Sequence, residues 1–370
     1  MNDLTGIIIV SSLMLASVLG FVAHRASVCT VKAVAEIVSV GQGYMFLSFF
    51  KTVLWVMAIT IPFMWWWPEA HGTRQTWAIS TPALMGGLLF GMGAALNKGC
   101  AFSTLSRLGD GNLSMLVTLT GFCAGIYMHA RLSDAYTLPH GTLLETTYTT
   151  PSIWAIGLLG ALWVWVIQEM IRLWRTRRPR APWWVLARSD RYRLSTAAAV
   201  IGVSNAFLYE LHGSWAYTGT ISQEIRHVAI GDAGSSVVQW GLFAALLLGM
   251  GWSSWRRHSF RLVWRPSLSW AMSFPAGLLM GLGAALVPGS NDVLILHSIP
   301  ALSPHALPAY LGMVVGIALP LVLMRVTRGA VMRVDCSGDV CQDERGRDPV
   351  DRAAAVAGVP DSRDMTNRAN

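Results

Sequence analysis

Long apolar runs separated by short polar breaks dominate the chain. Nine runs approach the ~20 residues that a helix needs to cross a bilayer core: residues 4–23, 44–64, 82–96, 113–128, 152–171, 195–211, 237–252, 271–287 and 306–324. The third and eighth are short, end in Gly-containing turns and lead into mildly apolar stretches. Apolar segments broken by Gly or Pro predict discontinuous or re-entrant helices. The expected fold class is therefore an all-α polytopic membrane protein, with about nine transmembrane helices plus short re-entrant helices. From Val334 the chain turns polar and loses apolar periodicity. The expected organisation is a membrane domain over residues 1–333 and a disordered cytoplasmic tail over 334–370.

Composition agrees with the pattern. Of 370 residues, 53% are hydrophobic and 13% charged, about half the charged share of a soluble domain, which is ~25%. Several of the Trp residues, such as Trp65, Trp66 and Trp67, stand where apolar runs end, the place where an amphipathic ring meets the membrane–water interface. The net charge of +8 would suggest nucleic acid in a soluble protein. Here the basic residues cluster in short loops beside apolar runs, which is a topology signal, and no nucleic-acid-binding motif is present. Arg172, Arg175, Arg177, Arg178, Arg180, Arg188, Arg191 and Arg193 follow the fifth run. Arg256, Arg257, Arg261 and Arg265 follow the seventh, and Arg325, Arg328 and Arg333 the ninth. The positive-inside rule places all three groups in the cytoplasm, and the basic-poor residues 132–150 and 212–234 outside. The N-terminus lacks a cleavable-signal pattern and reads as a retained first helix.

An internal repeat divides the chain into halves of about 1–171 and 195–325. The run from Gly87 to Leu96 (GLLFGMGAAL) is echoed from Gly277 to Leu286 (GLLMGLGAAL), and the register continues to Gly99-Cys100 and Gly289-Ser290. Gly20 precedes Cys29 at the same spacing as Gly91 precedes Cys100. Repeated halves are a common transporter build, with the substrate site where they meet. Linear similarity leaves open whether the halves are inverted.

The chemistry-bearing segments sit at these breaks. Asn97-Lys98-Gly99-Cys100 interrupts an apolar region. A helix starting near Cys100 would aim free N–H groups into the gap, where an anion is favoured, and the thiol is a soft, weak donor. The competing reading is a small packed residue, since free Cys is often buried. Cys29 lies between Arg25 and Lys32; it either lines a vestibule with an anion-attracting field or accompanies basic residues that snorkel. In Ser290-Asn291-Asp292 a hydroxyl replaces the thiol. A carboxylate there is functional, or Asn291 or Asp292 caps a helix starting at Val293. Beside an anion path Asp292 is unfavourable unless paired or protonated. Arg107 precedes an Asp110-Gly111-Asn112 turn and either holds an anion or fixes the turn. Cys123, between Gly121 and Gly125, reads as close helix packing. Cys336 and Cys341 lack a zinc-like spacing, so no metal is assigned; the odd number of cysteines, five, does not describe a disulfide framework.

These segments resemble the YeeE/YedE family of bacterial membrane proteins, the sulfur transport family. The resemblance rests on Gly87–Gly91 running into Gly99-Cys100, on Arg107-Leu108-Gly109 and Gly111-Asn112-Leu113, on the stretch from Gly20 to Cys29, on Gly213-Ser214-Trp215 with Thr218, and on Gly277 to Asp292. It extends to about Met324. It implies an hourglass-shaped thiosulfate importer of the bacterial inner membrane, in which two halves meet at a narrow waist lined by short helices and thiols pass the anion on. Cys29 and Cys100 match two family thiols, and Ser290 stands where a third is typical.

The expected function is thus transport of thiosulfate or a related small sulfur anion. Cys29, Cys100, Ser290, Lys98, Gly99, Arg107, Gly289, Asn291 and Asp292 would line the pathway, with Lys98 and Arg107 supplying positive field. No cofactor is implied, and the absence of a P-loop motif argues against direct ATP drive. Two rivals remain: a sulfur-redox enzyme with Cys100 as nucleophile, and a membrane scaffold delivering sulfur to a small TusA-like carrier protein, a partner implied by the resemblance.

Overall fold

A computed structural model describes residues 2–66, 75–136, 143–145, 151–176, 189, 191–263, 268–328, 334–337 and 339–343. Each of the nine apolar runs becomes a helix, and a short helix follows the first of each pair in a fourfold pattern. The first triplet is α1 (Asn2–Ala26), α2 (Thr30–Val40) and α3 (Tyr44–Trp66); the second is α4 (Thr81–Leu96), α5 (Ala101–Gly109) and α6 (Ser114–Tyr136). After a lone α7 (Ile153–Arg175) come α8 (Leu194–His212), α9 (Tyr217–Ile230) and α10 (Val237–Arg256). The last triplet is α11 (Leu268–Leu286), α12 (Asn291–Val293) continued by a π-helical turn over Leu294–Ser298, and α13 (Ala306–Arg328). Among the described residues, seven helices are long and apolar enough to cross a membrane, or eight if the pair bent by 43° between α11 and α12 counts as one. The chain is a multi-pass membrane protein.

Local signals set the helix starts. Ser80 accepts from Ala83 N–H at 3.3 Å with Pro82 in the first turn of α4, Ser152 caps α7, and Ser236 with Gln239 forms a capping box at α10.

Glycines set the packing. Apolar helices gain little from hiding in one another when lipid is equally apolar, so close backbone approach carries much of their association. A Cβ on Gly91 would lie 2.2 Å from Met313 O, and one on Gly87 2.2 Å from Ala309 O, so α4 runs parallel to α13. Gly277 and Gly281 make the same approach to Thr118 and Phe122, setting α11 parallel to α6. Gly20 and Gly249 join α1 to α10, and Gly202 joins α8 to α3. Thus the first helix of every triplet packs on the last helix of a triplet in the other half. The two repeat copies, α4 and α11, run antiparallel: Gly86 meets Leu286, and Gly93 meets Ala276 and Met280. The repeat is therefore inverted, with α7 as the extra pass between the halves.

The basic helix ends share one side. Arg193 donates to Thr176 O at 3.0 Å, Asn112 pairs with Val263, and Arg325 donates to Val38 O. Arg177, Arg178, Arg180, Arg188, Arg265 and Arg333 lie outside the described residues. Here also Lys51, 5% exposed, is held by Glu169 at 2.9 Å and Ser195 Oγ at 2.7 Å. On the opposite side, β1 (Gln75–Trp77) pairs with β2 (Leu143–Glu145) and clasps the start of α13 through Trp77 to Ser303 and His305.

The tail corrects one expectation. β3 (Val334–Ser337) and β4 (Val340–Asp343) pair as an antiparallel ribbon, joined by a Cys336–Cys341 disulfide. β3 packs on α2, and Asp339 caps α8 by accepting from Ser195 N at 2.9 Å and Ser195 Oγ at 2.8 Å. Charge and turn residues look like tail in a linear pattern, yet here they satisfy a helix start. Residues 344–370 lie outside the described residues.

Candidate functional site

Four short segments start next to one another in the interior. Their N-caps are Cys29 for α2, Cys100 for α5, Ala216 for α9 and Ser290 for α12, all with extended backbone and none with a side-chain cap hydrogen bond. α2 and α5 lead from this centre toward the basic side. α9 and α12 lead away from it, toward Ala229, whose carbonyl binds Arg131 of α6.

The breaks that make this possible are built locally. Asn97, 7% exposed, donates to Gly99 O at 3.0 Å and to Thr104 Oγ1 at 2.8 Å, and accepts from Thr118 at 3.0 Å. Arg107 donates to the carbonyls of Asn97 and Lys98. It fixes the turn that follows α4, and neutral carbonyl partners leave its positive charge in place. Lys98 takes a positive φ of 56° and is exposed, away from the buried contacts of Cys100. Gly99 leaves no room for a Cβ, which would fall 2.8 Å from Ser103 Oγ. Gly289 has φ 152°, a conformation that side chains rarely adopt.

Cys29 and Cys100, 2% and 1% exposed, lie close enough at the starts of α2 and α5 for their thiols to interact. Arg25 is buried and donates to Ser189 O rather than snorkelling.

Across from them, Thr218 Oγ1 lies 2.7 Å from Ser290 Oγ and 3.0 Å from each oxygen of Asp292. Ser290 also donates to Asp292. The expected capping of a helix starting at Val293 by Asn291 or Asp292 is corrected: the helix starts at Asn291, Ser290 is its N-cap, and Asp292 instead collects the two hydroxyls. Asn291 reaches Thr30 Oγ1 at 3.4 Å, joining the two sides.

Two cavities lie between these starts. One is lined by Cys29, Thr30, Thr52, Phe102, Asn291 and Asp292, among others. Its neighbour is lined by Ala101, Thr104, Tyr217, Thr218 and Met280, among others. Buried polar atoms without a partner remain here: Tyr217 Oη and Asn291 Oδ1, on residues each 4% exposed. An orphaned buried polar group is costly, and a polar ligand would satisfy it. Reading the sequence missed Tyr217 and Thr30. Their only signal was position, immediately after a break at Ala216 or Cys29 in the fourfold pattern. Cys123 lies on α6, beside the Gly121 and Gly125 contacts to α11, in keeping with the packing reading.

Residues 25–319 of the chain match a family model described as sulphur transport. No curated protein matches it.

Proposed function

Because this chain belongs to the sulphur transport family, we propose that it is a permease for thiosulfate or a closely related sulfur anion, which passes between the four short-helix starts. The observation that carries the reading is the pair of adjacent buried thiols, Cys29 and Cys100, of which Cys29 lines a cavity shared with Asn291 and Asp292.

The segments α2, α5, α9 and α12 read as re-entrant: each begins near the centre and presents N–H groups there. A helix N-terminus contributes ~0.3–1 kcal/mol toward an anion at a surface and up to ~2 when partly buried. The thiols add weak, polarizable donors suited to a soft sulfur atom, and Tyr217 supplies an uncommitted hydroxyl. Ser290 offers less than its position suggests, because its proton is directed to Asp292.

Labelled thiosulfate uptake by proteoliposomes tests the reading. Losing a donor to a charged group costs ~1.5–3 kcal/mol, so Cys100→Ala is expected to cut uptake ~10–100-fold, with Cys100→Ser intermediate. Wild-type uptake no faster than in empty liposomes would sink the transport reading.

A further inference from the structure

We infer that Asp292 is the proton-coupling group of this pathway: a proton neutralises it as the anion enters and leaves with the anion on release. The inference rests on the transport reading above.

Asp292 differs from the other well-buried carboxylates. Glu169 is paired with Lys51 and Arg172. Glu36 is held by the backbone N–H groups of Tyr44 and Met45 at the start of α3. Asp292, 5% exposed, accepts from the hydroxyls of Thr218 and Ser290 and from backbone N–H groups at the start of α12, with no ion pair among the described residues. Among the described residues no cation pairs with Asp292; the positive charge near the cavity is Lys32 of α2, which lies beside Cys29. α9 contributes Tyr217 and Thr218, α5 contributes Cys100 and Phe102, and α2 contributes Cys29 and Thr30. α3 contributes Phe49 and Thr52, while Lys51 beside them is committed to Glu169 and Ser195. On the same segment His297 is turned to Trp215 O, and Tyr310 of α13 lies toward Thr30.

An anion beside Cys29 therefore shares a cavity with an unpaired carboxylate. Like charges in a low-dielectric site cannot both persist, and the pair resolves by taking up a proton. Protonation does more than remove repulsion. An ionised Asp292 consumes the protons of Ser290 and Thr218; a neutral one releases both hydroxyls to donate to the anion and adds its own O–H. The same residue thus switches the cavity wall from acceptor to donor and frees the hydroxyl of Thr218, which lines the second cavity.

The test uses the full chain in proteoliposomes, with labelled thiosulfate and the membrane potential clamped at zero. Exchange of internal for external thiosulfate at equal pH reads the pathway alone; accumulation under an inward proton gradient reads coupling. With one proton per anion, each pH unit of gradient supports up to ~10-fold accumulation. Exchange should slow as pH rises. Asp292→Asn should abolish gradient-driven accumulation and flatten the pH profile, and Asp292→Glu should restore both. Exchange without any gradient response in the wild type overturns coupling and leaves transport standing; no exchange overturns both. A hydrophobic carbodiimide, which attacks protonated buried carboxyls, checks the assignment without a substitution. It should modify Asp292, more so with thiosulfate present, and modification confined to other residues would overturn the assignment.

Discussion

Asp110 shows at the scale of one residue how the ends of distant helices are joined. Burial disfavours its charge, but His24 at 3.1 Å and the hydroxyls of Ser254 at 2.7 Å and Ser259 at 2.9 Å more than compensate, holding the carboxyl below its usual range. A carboxyl depressed on folding adds stability above its unfolded value of ~3.9 and loses it as pH falls through the folded value. Asp110→Asn should therefore lower the thermal midpoint of the detergent-solubilised protein at pH 7, and the gap to wild type should start to narrow below about pH 3.9 and close only below the lower folded value. An equal gap at both pH values would mean that lost packing, and not charge, is responsible. The sequence shows Asp110 as part of a turn, and it is one, but the partners His24 and Ser254 are 86 and 144 residues away. Ser290 is similar. Its place in the repeat is legible, whereas the commitment of its proton to Asp292 depends on geometry that no spacing encodes.

At the scale of the element, the glycine runs were visible and their partners were not. Gly91 and Gly281 read as places where backbones approach; which helix approaches is a property of the assembled bundle. In α4 a Cβ at Gly91 would meet the α13 backbone, Met313 O at 2.2 Å and Gly316 Cα at 2.9 Å, so a whole helix must shift. Gly91→Ala should destabilise by ~1–3 kcal/mol, the usual range for overpacking. Gly157, in α7, has nothing within 4 Å of such a Cβ, and Gly157→Ala should be neutral or slightly stabilising, since Ala is favoured over Gly in a helix by ~1 kcal/mol. Thermal unfolding of the two variants in one detergent compares them directly; equal losses would refute the packing account. The short helices were only half legible. Breaks after the third and eighth apolar runs stood out because those runs are short, but α1 and α2 form one continuous apolar stretch from Thr5 to Val40 and hide the turn at Ser27–Cys29. Hydropathy averages over such a turn, because Val28, Val31 and Val34 are as apolar as a span.

For the whole molecule, the inverted repeat makes a demand that the linear echo of GLLFGMGAAL could not. If the α1–α3 triplet and the α8–α10 triplet are copies of opposite orientation, equivalent loops must lie on opposite faces. The loop between α2 and α3, residues 41–43, belongs to the basic side, where Arg325 binds Val38 O. Its counterpart between α9 and α10, residues 231–236, begins at Gly231, whose N–H closes α9 on His227 O, and carries the Arg226–Asp232 pair. Gln42 and Ala233 are both exposed; the free cysteines Cys29 and Cys100 are buried and Cys123 is partly buried, so Cys123→Ser keeps background labelling low. With Cys336 and Cys341 replaced by Ser, a membrane-impermeant maleimide applied to intact cells should label Ala233→Cys and spare Gln42→Cys. In inverted vesicles the pattern should reverse if the basic side faces the cytoplasm, as the positive-inside rule predicts. Labelling of both from one face would contradict the inverted arrangement. Labelling of Gln42→Cys alone from outside would preserve the inversion and turn the whole molecule over, reversing the side from which the proton and anion enter.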